Sequence, residues 1–131
     1  MLLDHPARDR IAGEPVVWLT TVSPSGRPQS SPVWFLVEGD EVLVYSRRSA
    51  RVHNLRANPN VALNLNSDKW ATEVVSMEGA ARIDETAPPA DRNPRYVNKY
   101  RERMAANGWT PEQFASLYPV PIRIRLGRIR A

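Results

Sequence analysis

Apolar and polar positions alternate with a period of about two along most of this chain, and turn to a period of about 3.6 between Ser49 and Asn58 and again after Pro88. After Glu14 the run P-V-V-W-L-T-T-V, rich in β-branched and aromatic residues, closes on Ser23-Pro24-Ser25-Gly26, which reads as a strand entering a tight turn. Both parities of this run are apolar or semi-apolar, so the pattern predicts a strand covered on both faces. A second strand from Arg27 to Val37 ends at the turn Glu38-Gly39-Asp40, and a third follows from Glu41 to Ser46. Three strands in meander order are the simplest arrangement.

Ser49 to Asn58 reads as a short helix, with Val52 and Leu55 on one side, Ser49 placed to cap the first turn and Pro59 to stop the last. Next comes a one-sided strand with Val61, Leu63 and Leu65 inward and Asn64 and Asn66 outward. Thr72 to Asp84 alternates again, with Val75, Met77, Ala81 and Ile83 inward, and Gly79 inside it implies a bulge or a close backbone approach. From Pro88 to Gly108 the pattern is helical, with an apolar stripe of Val97, Tyr100 and Met104. Thr110-Pro111-Glu112-Gln113 carries a capping box that opens another short helix. The tail from Pro119 alternates as a strand whose apolar parity switches between Leu126 and Ile129, which a bulge at Gly127 reconciles. The result is a mainly β chain, a six-stranded antiparallel β-barrel with short flanking helices.

Composition narrows the chemistry. At 131 residues, with 42% hydrophobic and 24% charged positions and no linker or repeat, residues 1–131 form a single globular domain. With no cysteine, disulfides, thiolate nucleophiles and cysteine-ligated metals are excluded, and His5 and His53 are too far apart for a local metal motif. No apolar run approaches membrane-spanning length and no secretory leader is seen, so the expected location is cytoplasmic, with no membrane partner. A net charge of +4 favours an anionic partner without naming one.

The strings W-L-T-T-V-S-P-S-G-R-P-Q-S-S-P-V-W-F (Trp18 to Phe35), V-Y-S-R-R-S-A-R-V-H-N-L-R-A-N-P-N-V-A-L (Val44 to Leu63) and S-M-E-G-A-A-R-I (Ser76 to Ile83) resemble the F420-dependent branch of the pyridoxamine 5'-phosphate oxidase-like superfamily. The tail from Tyr118 to Ile124 resembles the closing strand of those proteins. The resemblance implies an FMN-binding type of split β-barrel. It also implies a homodimer with two cofactor sites at its interface, contacts between copies being expected from the helix after Pro88 and the last strand.

Arg47, Arg48 and Arg51 precede or open the first helix, so their guanidinium groups and the free N–H groups of its first turn can converge on an anion. Arg48 and Arg51, three apart, would share a face, while Ser46, Ser49 and Asn54 add polar groups nearby. The competing reading is a solvated basic face. The resemblance places the cofactor phosphate here, although some relatives carry lysine at the position of Arg51 and arginine at that of Ser49. It places the flat ring of the cofactor along Gln29, Ser30, Ser31, Pro32 and Val33, where small residues admit a ring to the backbone. Trp70 would cover that ring or seal the barrel end. His53, Glu73 and Glu78 read as surface residues, and no catalytic acid or base is assigned.

The function implied is an oxidoreductase in which reduced F420 gives a hydride to a small, electron-poor organic acceptor, the chemistry being the cofactor's and the positioning the protein's. FMN is the alternative cofactor, and a non-catalytic carrier of F420, flavin or haem is the alternative role. The arginines of I-R-I-R-L-G-R-I-R alternate with core positions as in a half-buried strand, which argues against nucleic-acid binding.

Overall fold

The computed structural model describes residues 2–131. Strands β1 (Val17–Val22), β2 (Pro28–Val33), β3 (Leu36–Glu38), β4 (Glu41–Ser46), β5 (Asn60–Leu65), β6 (Ser76–Ile83) and β7 (Val120–Arg130) form one antiparallel sheet in the order β2-β1-β5-β6-β7-β4-β3. Helices α1 (Arg8–Gly13), α2 (Ala50–Ala57), α3 (Pro94–Ala106) and α4 (Pro111–Leu117) lie at its margins.

The sheet has seven strands where six are expected, because Arg27 to Val37 is bent at Trp34–Phe35. Before the bend it pairs with β1 (Val17↔Val33 to Val22↔Pro28), and after it with β4 (Leu36↔Leu43 to Glu38↔Glu41). One segment therefore carries both ends of the strand order, and this is how a sheet with two edges curls into a barrel with a split. A backbone leaving one ladder for another exposes peptide groups that need partners. Here the buried Tyr100 hydroxyl accepts from the Phe35 N–H at 2.8 Å and donates to the Pro15 carbonyl at 2.7 Å.

Inside the barrel Val17, Leu19, Val61, Leu63, Leu65, Met77, Ile122, Ile124 and Leu126 are buried in one cluster, matching the period-two pattern. β1 departs from expectation. Its inner residues are buried, but Trp18 is 36% exposed and Thr20 and Val22 are half-buried, so in the single chain its outer face is open. At Gly79 a Cβ would sit 2.6 Å from the Ile124 side chain and 2.9 Å from the Arg125 carbonyl, which accounts for a glycine inside a strand. Opposite it, Met77 pairs with Ile129 and Gly79 with Leu126. The extra residue lies at Gly127–Arg128 and returns Ile129 to the core side, as the parity switch requires.

α2 packs against β1 and β6 across one end of the barrel. Ser49 occupies its N-cap position in extended backbone, but its hydroxyl makes no capping bond. A short 3-10 turn at Ala90–Arg92 precedes α3, so the helix starts later than the periodicity implies, capped by the Asn93 side chain with Pro94 in its first turn. Gly108, at φ +77, ends it in the left-handed conformation that glycine adopts readily. Both halves of the Thr110–Gln113 capping box are formed on α4. Tyr96, Tyr100, Met104 and Phe114 join Leu36, Leu43 and Tyr45 in a second core cluster outside the barrel. Periodicity missed α1, which has no side-chain cap and buries a single large residue, Ile11. Arg10 ties α1 down by donating to the Asn66 and Glu73 carbonyls at 3.2 and 3.1 Å.

Candidate functional site

The split falls between β2 and the end of β4, which share no ladder pairing. Arg51, in the first turn of α2, spans it. One terminal nitrogen donates to the Ser46 hydroxyl of β4 at 2.9 Å and the other to the Ser31 hydroxyl of β2. Partial burial lowers the affinity of this guanidinium for its proton from the ordinary value, since removal from water disfavours the charged form. Its Nε is buried without a hydrogen-bond partner. Among the described residues no carboxylate lies within ion-pairing distance of Arg47, Arg48 or Arg51. A half-buried cation bonded to neutral hydroxyls keeps an uncompensated charge, and an anion could compensate it.

Two clefts flank Arg51. The smaller, of about 240 Å³, lies between Thr21, Gln29 and Ser31 on one side and Ser49 and Ala50 on the other. Its floor is fixed by the buried Asn54, whose amide donates to the Thr21 hydroxyl at 3.1 Å and the Gln29 side-chain oxygen at 2.6 Å. The larger, of about 440 Å³, runs past Pro32, Val33 and Arg47 to Trp34, Tyr45, Asn107, Trp109, Phe114 and Tyr118. Arg51 and Ser49 border both.

The structure brings together Gln29, Ser31, Pro32, Val33, Ser46, Arg47, Ser49, Arg51 and Asn54 around the split. Ser30 borders the smaller cleft, but its hydroxyl turns the other way and meets that of Thr20 at 2.5 Å. Arg48 is exposed and lines neither cleft. It does not share a helical face with Arg51, because it precedes the N-cap, where the backbone is still extended. Trp70 is 76% exposed in the β5–β6 turn and lines neither cleft, so within one chain it neither seals the barrel nor reaches the split. The register places that turn at the barrel end away from α2, since Leu65 pairs with the start of β1 while Ala62 pairs with Thr20. His53, Glu73 and Glu78 are exposed, and Glu78 pairs with Arg130 at 3.0 Å.

Trp34, Tyr45, Asn107, Trp109, Phe114 and Tyr118 were not singled out as site residues. The available signal was the aromatic density of G-W-T-P-E-Q-F-A-S-L-Y, which periodicity alone assigns to helix packing. Among the described residues no group of three or more His, Cys, Asp or Glu side chains could hold a metal ion. Nor is any helix among those residues long and apolar enough to cross a membrane.

The site is thus an antiparallel split β-barrel whose split is spanned by an arginine that bonds two serines and meets no carboxylate. The chain belongs to the pyridoxamine 5'-phosphate oxidase family, whose model matches residues 3–125. This agrees with the superfamily resemblance of its motifs. Among solved structures, an F420 reductase superposes with a TM-score of 0.68 at 20% identity, covering 93% of this chain and 94% of that one. General Stress Protein 26 from Bacillus anthracis superposes with a TM-score of 0.70 at 26% identity, covering 98% and 92%. HutZ, the haem storage protein from Vibrio cholerae, superposes with a TM-score of 0.66 at 15% identity, covering 96% and 93%. No curated protein sequence matches the chain significantly.

Proposed function

We propose that the protein is an oxidoreductase that holds F420 at the barrel split and reduces a small, electron-poor organic acceptor. The observation that carries this reading is Arg51: a half-buried guanidinium with hydroxyl partners, an unpartnered Nε and no carboxylate to neutralise it. Arg51, Ser31, Ser46 and the first-turn N–H groups of α2 would hold the cofactor's phosphate, and the backbone of Gln29 to Val33 the edge of its ring. Arg48, exposed and without an ion-pair partner, extends positive charge away from this cradle, which suits a polyanionic tail better than a single phosphate. When bound, F420 supplies hydride-transfer chemistry. The chain's residues would anchor the anion and orient the ring.

FMN is the second reading, because the same cradle suits its phosphate. A haem carrier finds less support, since His53, the histidine nearest the cradle in sequence, is exposed and lines neither cleft. The site is proposed to lie at the interface of a homodimer. Support comes from the open outer face of β1 and β2, where Trp18, Thr20, Ser30 and Pro32 are exposed or half-buried in the single chain.

The test is titration of the purified protein with F420 and with FMN at low and moderate salt, followed by ligand fluorescence. Tight F420 binding, weaker FMN binding and loss of both in Arg51→Glu is the expected result. Preference for FMN replaces the cofactor, and binding of neither removes the redox reading.

A further inference from the structure

The anion cradle leaves the larger cleft unexplained. Its aromatic wall is built from distant parts of the chain into a regular arrangement. Trp34 and Phe114 stack with centroids 5.3 Å apart and planes 9° from parallel, and Phe114 and Tyr118 with centroids 4.5 Å apart and planes 17° from parallel. Trp109 lies across this column, at 63°, 54° and 64° to the three rings and 5.8–6.2 Å from their centroids. At one end the Arg47 guanidinium sits 4.7 Å over the Tyr118 ring and donates to its hydroxyl at 3.3 Å.

These contacts hold Arg47 in place without neutralising it. A stacking partner and a phenol hydroxyl orient a guanidinium, whereas a carboxylate would satisfy its charge. No carboxylate lines the cleft, whose two charged residues are both arginines. The volume of about 440 Å³ is that of a small-molecule site and exceeds what a phosphate group fills. Flat apolar walls select a flat apolar body, and an oriented, unpaired cation at the rim selects an acid group on it.

We propose that this cleft binds a planar aromatic carboxylate, with its ring system against Trp109 and the edges of the stacked column and its acid group on Arg47. The assignment of that molecule as the substrate rests on the redox reading above; its binding does not. Neutral aromatics lack the arginine contact, and non-aromatic acids lack the wall.

The experiment is calorimetry on the full chain with 2-naphthoate, 2-naphthamide and cyclohexanecarboxylate, in the absence and presence of saturating F420. 2-Naphthoate is expected to bind at least about tenfold more tightly than either comparison compound, a difference of about 1.4 kcal/mol. Arg47→Gln, a surface substitution whose fold is checked by circular dichroism, is expected to abolish the preference for acid over amide. Trp109→Ala is expected to weaken both naphthalene compounds. Failure of 2-naphthoate to bind, equal affinity for acid and amide, or an unaltered preference in Arg47→Gln overturns the proposal. Displacement of 2-naphthoate by F420 also overturns it, by making the cleft part of the cofactor site. If F420 does not bind while 2-naphthoate behaves as expected, the redox reading fails and the ligand class of the cleft stands.

Discussion

Arg51 and Ser46, joined at 2.9 Å, form one side of a clasp across the split, and the contact from Arg51 to Ser31 forms the other. A side chain thus takes the place of ladder hydrogen bonds between strands that do not pair. It does so with a charged group that meets no carboxylate, so one residue both bridges the split and presents a positive charge there.

Arg51→Gln should therefore weaken whichever of F420 or FMN the protein binds by at least about tenfold, since loss of a charge-assisted hydrogen bond costs about 1.5–3 kcal/mol. Arg51→Lys, which keeps the charge but cannot fork to two serines, should fall between the two. Fluorescence titration measures the affinity and thermal unfolding the accompanying change in stability. Equal affinity in Arg51→Gln and the parent would show that the cofactor does not use this guanidinium.

The Tyr100 hydroxyl serves the peptide groups at the strand bend. Tyr100→Phe keeps the ring stacked on Trp34, at 4.6 Å and 2°, and leaves the buried Phe35 N–H without its partner. The expected cost is about 1–3 kcal/mol of unfolding free energy, read from urea denaturation, with faster amide exchange at Phe35. Unchanged stability and unchanged exchange would mean that the bend is held by other contacts.

Gly79→Ala should destabilise the protein by about 1–3 kcal/mol, because the new methyl group meets the Ile124 side chain and the Arg125 carbonyl at less than contact distance. Ile124→Ala, which removes the clashing Cγ2, should give a combined loss smaller than the sum of the two single losses if the side-chain clash dominates, and an additive loss if the carbonyl does. Chemical denaturation of the single and double variants decides between them.

Acid stability should depend on the Asp84–Arg123–Glu38 cluster. The Thr86 hydroxyl and Arg123, the latter at 2.7 Å, hold the Asp84 carboxyl down at about 2 against an ordinary 3.8. A carboxyl with a lowered folded-state value stabilises the native state fully above its unfolded value. That contribution is lost as the pH falls through about 4 toward 2. Asp84→Asn should lower stability at neutral pH and flatten the acid limb between those values, as measured by thermal melts across pH. An acid limb identical to the parent's would assign the loss to other carboxyls.

The barrel was readable from the sequence because alternation fixes which side of a strand is buried, and Val61, Leu63, Leu65, Met77, Ala81, Ile122 and Ile124 all lie where their parity places them. The grouping of residues at the split was readable in part, since Arg51, Ser46, Ser49 and Asn54 are neighbours in the chain. Arg48 does not share a helical face with Arg51, because α2 starts only at Ala50 and Ser49 before it is extended. Nothing local marked Trp34 as the partner of Phe114 and Tyr118, for the stack joins the strand bend to a helix near the other end of the chain. The same limit applies to the bend, where Trp34–Phe35 has no glycine or proline to announce it.

The two sides of the split are held by different means, and this gives them different freedom to change. Ser31 and Ser46 sit on paired strands, where an insertion or a slip would turn neighbouring side chains inside out. The opposite wall rides on α4, seven residues that pack on the Ala90–Arg92 turn and α3 and set Phe114 against Trp34 at the strand bend. Replacing a ring there reshapes the cleft and disturbs no strand register, so the shape of the cleft can change while the clasp across the split stays as it is.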